Sequence, residues 1–413
     1  MAYSKVIENF LRYVQIDTQS KEEFSNKVPS TEKQRDLAKL LYQELIELGA
    51  SQVRYDEEHS YVYAVIPENL VEKKRVPAIG FIAHMDTSEA VSGAQVKPRI
   101  IENYDGRDIV LNEEKNIVTR VSEFPVLKAC RGKSLIVTDG NTLLGGDDKA
   151  GVAEIMAMAE YLLTHQEIKH GKICIGFTPD EEVGNGVAYF DIEGFGADYA
   201  YTIDGGELGD MSYECFNAAG AVLTVRGKSV HPGYAKDIMK NAIKLAYEFM
   251  SALPNECPEN TQGYEGFYHV DSMRGNVEEA VAEYIIRDHD KAKFEERKAV
   301  FMNMADRLNQ KYGAGTFQVE ISDSYCNMRE MIEKEMHIVD NVVEAMRRAG
   351  VEPKISAIRG GTDGARLSFD GLLCPNICTG SEGHHGRNEF ACIEDMEKIV
   401  EILINLIDIY TNF

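Results

Sequence analysis

Positive charge is in short supply in this chain. Lys and Arg total 44 against 68 Asp and Glu, a net charge of −24. Nucleic acid and anionic membranes attract basic surfaces, so neither is expected as a partner. Long apolar runs are also missing. The longest candidate, "IVEILINLIDIY" (399–410), is interrupted by Glu401, Asn405 and Asp408, and is not suited to crossing a bilayer. The opening "MAYSKVIENFLRYVQ" lacks the apolar centre of a secretory signal and reads as an amphipathic helix of the fold. Cysteine lacks any CxxC pairing: the eight residues Cys130, Cys174, Cys215, Cys257, Cys326, Cys374, Cys378 and Cys392 are scattered, several within apolar runs. Cys374 and Cys378, in "CPNIC", read as small core residues beside a proline. Together these absences lead us to expect a soluble, cytoplasmic protein with reduced, buried thiols. Internal repeats and low-complexity tracts are absent too.

What is present is enough apolar material, 44% of 413 residues, for more than one core. Residues 3–14 and 31–48 read as helices, the second with Thr31 and Gln34 as a capping box and Gly49 as its stop. Strands are expected at 61–66, 79–84, 173–177 and 199–203, with a helix at 150–164. The strands at 79–84 and 173–177 are almost continuously apolar, as in a mainly parallel sheet covered by helices. The fold class is α/β. "ENLVEKKRV" (68–76) reads as a charged surface turn, and residues 88–133 show no clear period.

The pattern changes near residue 214. A strand at 219–227 is followed by a helix at 237–252, with Ile238, Ala242, Leu245, Phe249 and Met250 along one side. Strands near 265–275 and 280–287, a helix at 291–310 and a strand at 316–322 complete the series. Phe294, Phe301 and Leu308 stand at heptad spacing on that helix. The order β-α-β-β-α-β is the ferredoxin-like arrangement. After residue 328 the α/β character returns, with helices at 335–349 and 393–411 and a Gly-rich turn "RGGTDG" (359–364). We therefore expect an α/β domain over 1–214 and 328–413, interrupted by a ferredoxin-like domain over 215–327.

Carboxylates and imidazoles follow the apolar strands. In "GFIAHMDT" (80–87), His84 and Asp86 lie two apart and project to one side at the carboxyl end of a core strand, the edge where open α/β sheets bind ligands. "LLGGDDKAG" (143–151), "FTPDEEVG" (177–184) and "TIDGGE" (202–207) each put acids after a strand, and "GSEGHHGRNEF" (380–390) adds two histidines. Acidic turns gathered in a partly desolvated cleft would repel one another, and bound cations relieve that. His and carboxylate donors without Cys suit Zn²⁺, Mn²⁺ or Co²⁺ at a catalytic site. Charge counting suggests two ions. One bridging and two terminal carboxylates, with a hydroxide, balance two dications and leave one carboxylate as base. Asp147 and Asp148 both qualify as the bridge, and His384 and His385 both qualify as the last imidazole.

The chain resembles the dinuclear zinc peptidases related to carboxypeptidase G, aminoacylase and carnosinase, and among them the aminopeptidases that cleave tripeptides. The likeness runs nearly end to end. It is carried by "AHMDT", "LLGGDDKAG", "FTPDEEVG", "TIDGGE", "HPGYAK", "EGFYH", "YIIRD", "YCNMRE", "IRGGTDGA" and "HHGRNEF" in that order. Gly146 stands where the family has Ala.

The resemblance implies two Zn²⁺ per subunit, with Co²⁺ or Mn²⁺ as substitutes. Their ligands would be His84, Asp147 as the bridge, Glu182, Asp204 and His385, with Asp86 orienting His84 and Glu181 as general base and acid. His231 would hydrogen-bond the developing oxyanion. Arg287 and Arg359 would meet a peptide's terminal carboxylate, and Asn276 would touch substrate. The inserted domain would act as a lid and as the interface of a homodimer. The implied activity is release of the N-terminal residue from tripeptides. A dipeptidase, carboxypeptidase or N-acyl amino acid deacylase on the same site is the nearest alternative, and a non-catalytic metal-binding scaffold the more distant one.

Overall fold

The computed structural model describes residues 4–70 and 75–412. The middle of the expected turn at 68–76 thus lies outside the described residues. Contacts divide the chain into two compact units.

The first unit runs to Tyr213 and resumes over Glu330–Ser356 and from Thr362 onward. It is built on an eight-stranded sheet of β1 (Ser51–Tyr55), β2 (Val62–Ile66), β3 (Ile79–His84), β4 (Ile173–Thr178), β5 (Tyr199–Gly205), β6 (Asp210–Glu214), β7 (Lys354–Ala357) and β8 (Asn376–Cys378). Their order is β1-β2-β4-β3-β5-β8-β6-β7. The central neighbours β4, β3, β5 and β8 are parallel. The flanks are not: β1–β2, β2–β4 and β8–β6 pair antiparallel. All five residues of β2 are buried, so direction leaves no trace in its composition.

Helix Gly146–Thr164 packs on β3 and β5, with Lys5–Tyr13 and Ile393–Thr411 against it. Its approach to β5 is close: a β-carbon on Gly151 would fall 1.9 Å from the Ile203 carbonyl oxygen. Another core layer gathers Tyr63, Ile82, Phe190, Phe195 and Leu367. Among the described residues no helix is long and apolar enough to cross a membrane. All eight cysteines are free thiols, and six of them are buried.

One local expectation needs correction. The capping box at Thr31 and Gln34 does not form, because both side chains are used elsewhere. Thr31 donates to the Gln19 carbonyl, and the Gln34 amide donates to the buried Asp180 carboxylate at 2.6 Å. The helix runs Gln34–Glu47 and ends as expected at Gly49 (φ +86°), whose N–H donates to Ile46 O while that of Ala50 donates to Leu45 O. The stretch 88–133 contains short strands at Arg99–Ile101, Ile109–Asn112 and Ile117–Thr119. Segments of three or four residues are too short to display a period.

The second unit comprises Glu214–Arg329 together with Ala357–Gly361. Its sheet order is Phe267–Gly275, Glu279–Asp288, Asn217–Arg226, Phe317–Tyr325, antiparallel throughout, which is the ferredoxin-like topology. Helices Ala242–Ala252 and Lys291–Tyr312 close its core around Leu223, Phe249, Tyr284, Phe301 and Phe317. The heptad residues Phe294, Phe301 and Leu308 are all buried. The shorter helix begins later than its apolar spacing predicts. Asn241 caps it by accepting the Lys244 N–H, which leaves Ile238 outside the helix and 46% exposed. Residues 357–361, expected in the α/β domain, join this unit. Ile358 N–H donates to Glu214 O, and Arg359 donates to the carbonyls of Gly263 and Glu265.

Candidate metal centre

Because β3, β4 and β5 are parallel, their carboxyl ends open on one edge. His84 closes β3 opposite Thr178 of β4, and the Ile82↔Thr202 register brings Asp204 level with His84. Four loops then deliver the remaining groups.

Asp147 lies at the centre. Its Oδ1 is 2.9 Å from His84 Nε2, and its Oδ2 is 3.1 Å from His385 Nε2. Asp204 Oδ1 approaches His84 Nε2 at 3.5 Å, and Glu182 Oε2 approaches His385 Nε2 at 2.8 Å. The result is two three-donor groups, His84–Asp147–Asp204 and Asp147–Glu182–His385, that share Asp147. Within each, the donor atoms lie within 4.8 Å of one another.

Supporting hydrogen bonds fix these groups. Asp86, 0% exposed, meets His84 Nδ1 twice, through its main-chain carbonyl at 3.1 Å and its Oδ1 at 3.3 Å. The same carboxylate accepts the N–H of Glu181 at 3.0 Å and of Glu182 at 3.2 Å. It therefore joins the imidazole to the acidic loop after β4. Asp148 accepts the N–H of His84 and of Gly151, so its carboxylate serves the backbone while that of Asp147 faces the imidazoles. His384 points Nε2 at Ser381 Oγ (3.0 Å) and stands 3.6 Å from Asp147 through Nδ1, farther than His385.

The electrostatics match a crowded acidic cleft. Burial pushes the Glu182 carboxyl up to about 7, with Asp147 adding to it. Burial likewise holds Glu181 well above the ordinary range and raises Asp204. For His84, burial opposes the charged form, but Asp204, Asp147 and Asp86 outweigh it and the pKa is raised. Hydrogen bonds to Asp147 and Glu182 push His385 up to about 11. Glu182 Oε1 is buried without a hydrogen-bond partner among the described residues. A hard or borderline dication answers each of these features: it takes imidazole and carboxylate donors, uses the orphaned oxygen and cancels the mutual repulsion. The residues present fit a pair of such ions.

Two residues here escaped the sequence reading. Asp363, from "TDG", accepts the Thr178 hydroxyl at 2.8 Å, and burial raises its carboxyl to about 7. Glu389, from "NEF", accepts three backbone N–H groups of the loop bearing Asp147. Their only sequence signal is a lone acid beside a Gly-rich turn or a His loop. A separate buried group, Cys130–Cys392–Asp395, is already supplied with a cation, since Lys133 Nζ lies 2.5 Å from Asp395.

Of the other expected residues, His231 accepts the Gly233 N–H through Nδ1 at 3.1 Å, which puts its proton on Nε2. Arg287 donates to the carbonyls of Ala219 and Ile286 and lies over the Tyr325 ring. Arg359 lies over Phe216 and Phe267 while donating to carbonyls and to Thr261. Among the described residues neither guanidinium meets a carboxylate. Asn276 spends its side-chain oxygen on the N–H groups of Glu278 and Glu279 in the hairpin turn, leaving only its amide nitrogen for a ligand.

Residues 213–316 match the family profile described as Peptidase dimerisation domain. The chain is 55% identical over 408 residues to Peptidase T of Desulfitobacterium hafniense, covering 98% of each chain. It is 54% identical to Peptidase T of Caldanaerobacter subterraneus, covering 98% of this chain and 99% of that one. Its fold matches the crystal structure of aminopeptidase PepT from Bacillus cereus with a TM-score of 0.77 at 22% identity, covering 99% of this chain and 98% of that chain. It also matches the YXEP protein of Bacillus subtilis, described as a dinuclear metal binding peptidase from the M20 family, with a TM-score of 0.63 at 16% identity and 98% coverage of both. At more than half identity over nearly its whole length, the chain belongs to the peptidase T family.

Proposed function

We propose that this chain is a metal-dependent aminopeptidase that releases the N-terminal residue from tripeptides. The observation that carries the reading is the pair of three-donor groups sharing Asp147 at the edge of a parallel sheet. His84, Asp204 and Asp147 would hold one ion, and Asp147, Glu182 and His385 the other, with zinc as the resident metal and Co²⁺ or Mn²⁺ as substitutes. When bound, two such ions supply Lewis acidity to the scissile carbonyl and lower the pKa of an attacking water.

The chain's own groups do the rest. Asp86 holds His84 in one orientation and fixes the backbone of Glu181 and Glu182. Glu181 is the general base. It takes the proton of the attacking water and returns it to the leaving amine, a role suited to a carboxyl whose pKa burial has raised. His231, with its proton on Nε2, is a donor for the oxyanion that develops at the carbonyl. Arg287 and Arg359, held by carbonyls and aromatic rings, offer planar guanidinium forks to the peptide's terminal carboxylate. Asn276 contributes its amide nitrogen. We assign the dimer interface to the second unit, from the match over residues 213–316.

Assay of Ala-Ala-Ala, Ala-Ala and N-acetyl-Ala with and without a chelator tests this. Chelator-sensitive turnover of the tripeptide alone is expected. Preference for Ala-Ala or N-acetyl-Ala would replace the substrate assignment, and chelator-resistant turnover would remove the metal.

A further inference from the structure

The loop that delivers Asp147 is held by a residue from another part of the chain. Residues 144–147 enter helix Gly146–Thr164 through a left-handed Gly145 (φ +85°) and a non-helical Asp147 (φ −85°, ψ 103°). The first N–H groups of a helix have no intrahelical acceptor. Here one of them, that of Asp147, converges on one carboxylate with the N–H groups of the cap residue Gly145 and of Leu144 before it. Glu389 Oε2 accepts the N–H of Leu144 at 2.7 Å and of Gly145 at 2.7 Å, and its Oε1 accepts the N–H of Asp147 at 3.0 Å. The side chain is 1% exposed, so both oxygens are committed. Gly146 permits the approach: a β-carbon there would lie 3.1 Å from Glu389 Oε1 and 2.9 Å from Ser381 Cβ.

Glu389 also stands four residues after His385, directly before the strand Phe390–Cys392. One carboxylate thus ties the loop of Asp147 to the loop of His385, whose side chains meet at 3.1 Å. We propose that Glu389 is a positioning residue that sets Asp147 against His385 and thereby fixes the affinity of the site for its second ion. This rests on the two-ion reading above. Glu389 belongs to neither three-donor group, and it acts through the backbone of Asp147.

Glu389→Gln is the discriminating variant. An amide has one acceptor oxygen and one donor nitrogen. However it turns, the NH₂ faces either the Asp147 N–H or the Leu144 and Gly145 pair, so one side must let go. Zinc affinity is measured by competition with a chromophoric chelator, and folding by thermal unfolding of the metal-free protein. Wild type should bind two ions. Glu389→Gln should remain folded and lose about 10–100-fold in affinity for at least one, the range for groups supporting metal ligands. Its turnover should recover toward wild type as free zinc is raised. The control is Glu394→Gln, whose carboxylate accepts the Ser134 N–H at 2.8 Å away from the ligand loops. That variant should keep zinc affinity within about twofold, since it touches no ligand-bearing segment. Should Glu389→Gln not fold, Glu389→Asp carries the same test: it keeps charge and both oxygens but is one methylene short. A folded Glu389 variant with wild-type affinity for both ions overturns the proposal, as does lower thermal stability with unchanged affinity. A wild-type protein that binds fewer than two ions instead overturns the two-ion reading itself.

Discussion

Asp147 faces His84 on one side and His385 on the other, and that single carboxylate organises the site. Glu181 belongs to the same edge but to neither three-donor group. Glu181→Gln should therefore retain both metals while turnover falls by about 10²–10⁴-fold, the contribution of a positioned base. Metal analysis alongside steady-state kinetics reads both quantities, and near-normal activity in a metal-replete variant would reassign the base. Asp86→Ala, which takes the carboxylate from His84 Nδ1 and from the Glu181–Glu182 backbone but leaves the Asp86 carbonyl on the ring, should weaken metal binding by about 10–100-fold. A residue outside the site adds to the pH dependence of stability. Glu154 is buried, neither carboxyl oxygen has a partner among the described residues, and burial holds its pKa well above the ordinary value. A carboxyl raised in the folded state keeps its proton while the unfolded chain gives it up. Its effect on stability is thus most favourable below the unfolded pKa and is lost as pH rises through the folded one. Glu154→Met should gain about 1–3 kcal/mol at neutral pH, the cost of an unpartnered buried polar group. The gain should shrink toward pH 4, as chemical denaturation across pH would show. Placing acids after apolar strands was legible in the sequence. The residues alone left Asp147 and Asp148 open, because neighbouring carboxylates differ only in which one the backbone claims, and only the family resemblance favoured Asp147.

At the level of elements, the site depends on where helix Gly146–Thr164 meets β5. Gly151 sits on the Ile203 carbonyl, one residue before Asp204 and four after Asp147. Gly151→Ala would force the helix off the strand, so a loss of about 1–3 kcal/mol is expected from overpacking. Zinc affinity should fall with it, because the two carboxylates move apart. Denaturant midpoints and metal titration of one preparation check both. The central strands and long helices could be read from the sequence because burial on both faces and helical spacing leave dense apolar signals. The antiparallel flanks could not, since β2 is as apolar as a parallel strand. Nor could the late start of helix Ala242–Ala252, where the Asn241 cap prevails over the spacing of Ile238. Thr31 and Gln34 were misread for a tertiary reason: a buried carboxylate, Asp180, claims the glutamine.

For the whole molecule, the ferredoxin-like order was visible because each strand and helix of the second unit is long. The five residues 357–361 were not, since only tertiary contacts through Ile358 and Arg359 join them to that unit. If residues 213–316 form the interface their profile describes, sedimentation equilibrium should return twice the mass of one chain. A single-chain mass would remove the dimer. The reading as a peptidase depends above all on two ions meeting at one carboxylate. Anomalous diffraction at the zinc absorption edge, from crystals grown with zinc, tests that most directly. The expected map has two peaks, one on each side of the Asp147 carboxylate, the first beside His84 and Asp204 and the second beside Glu182 and His385. A single peak, or peaks away from Asp147, would contradict it.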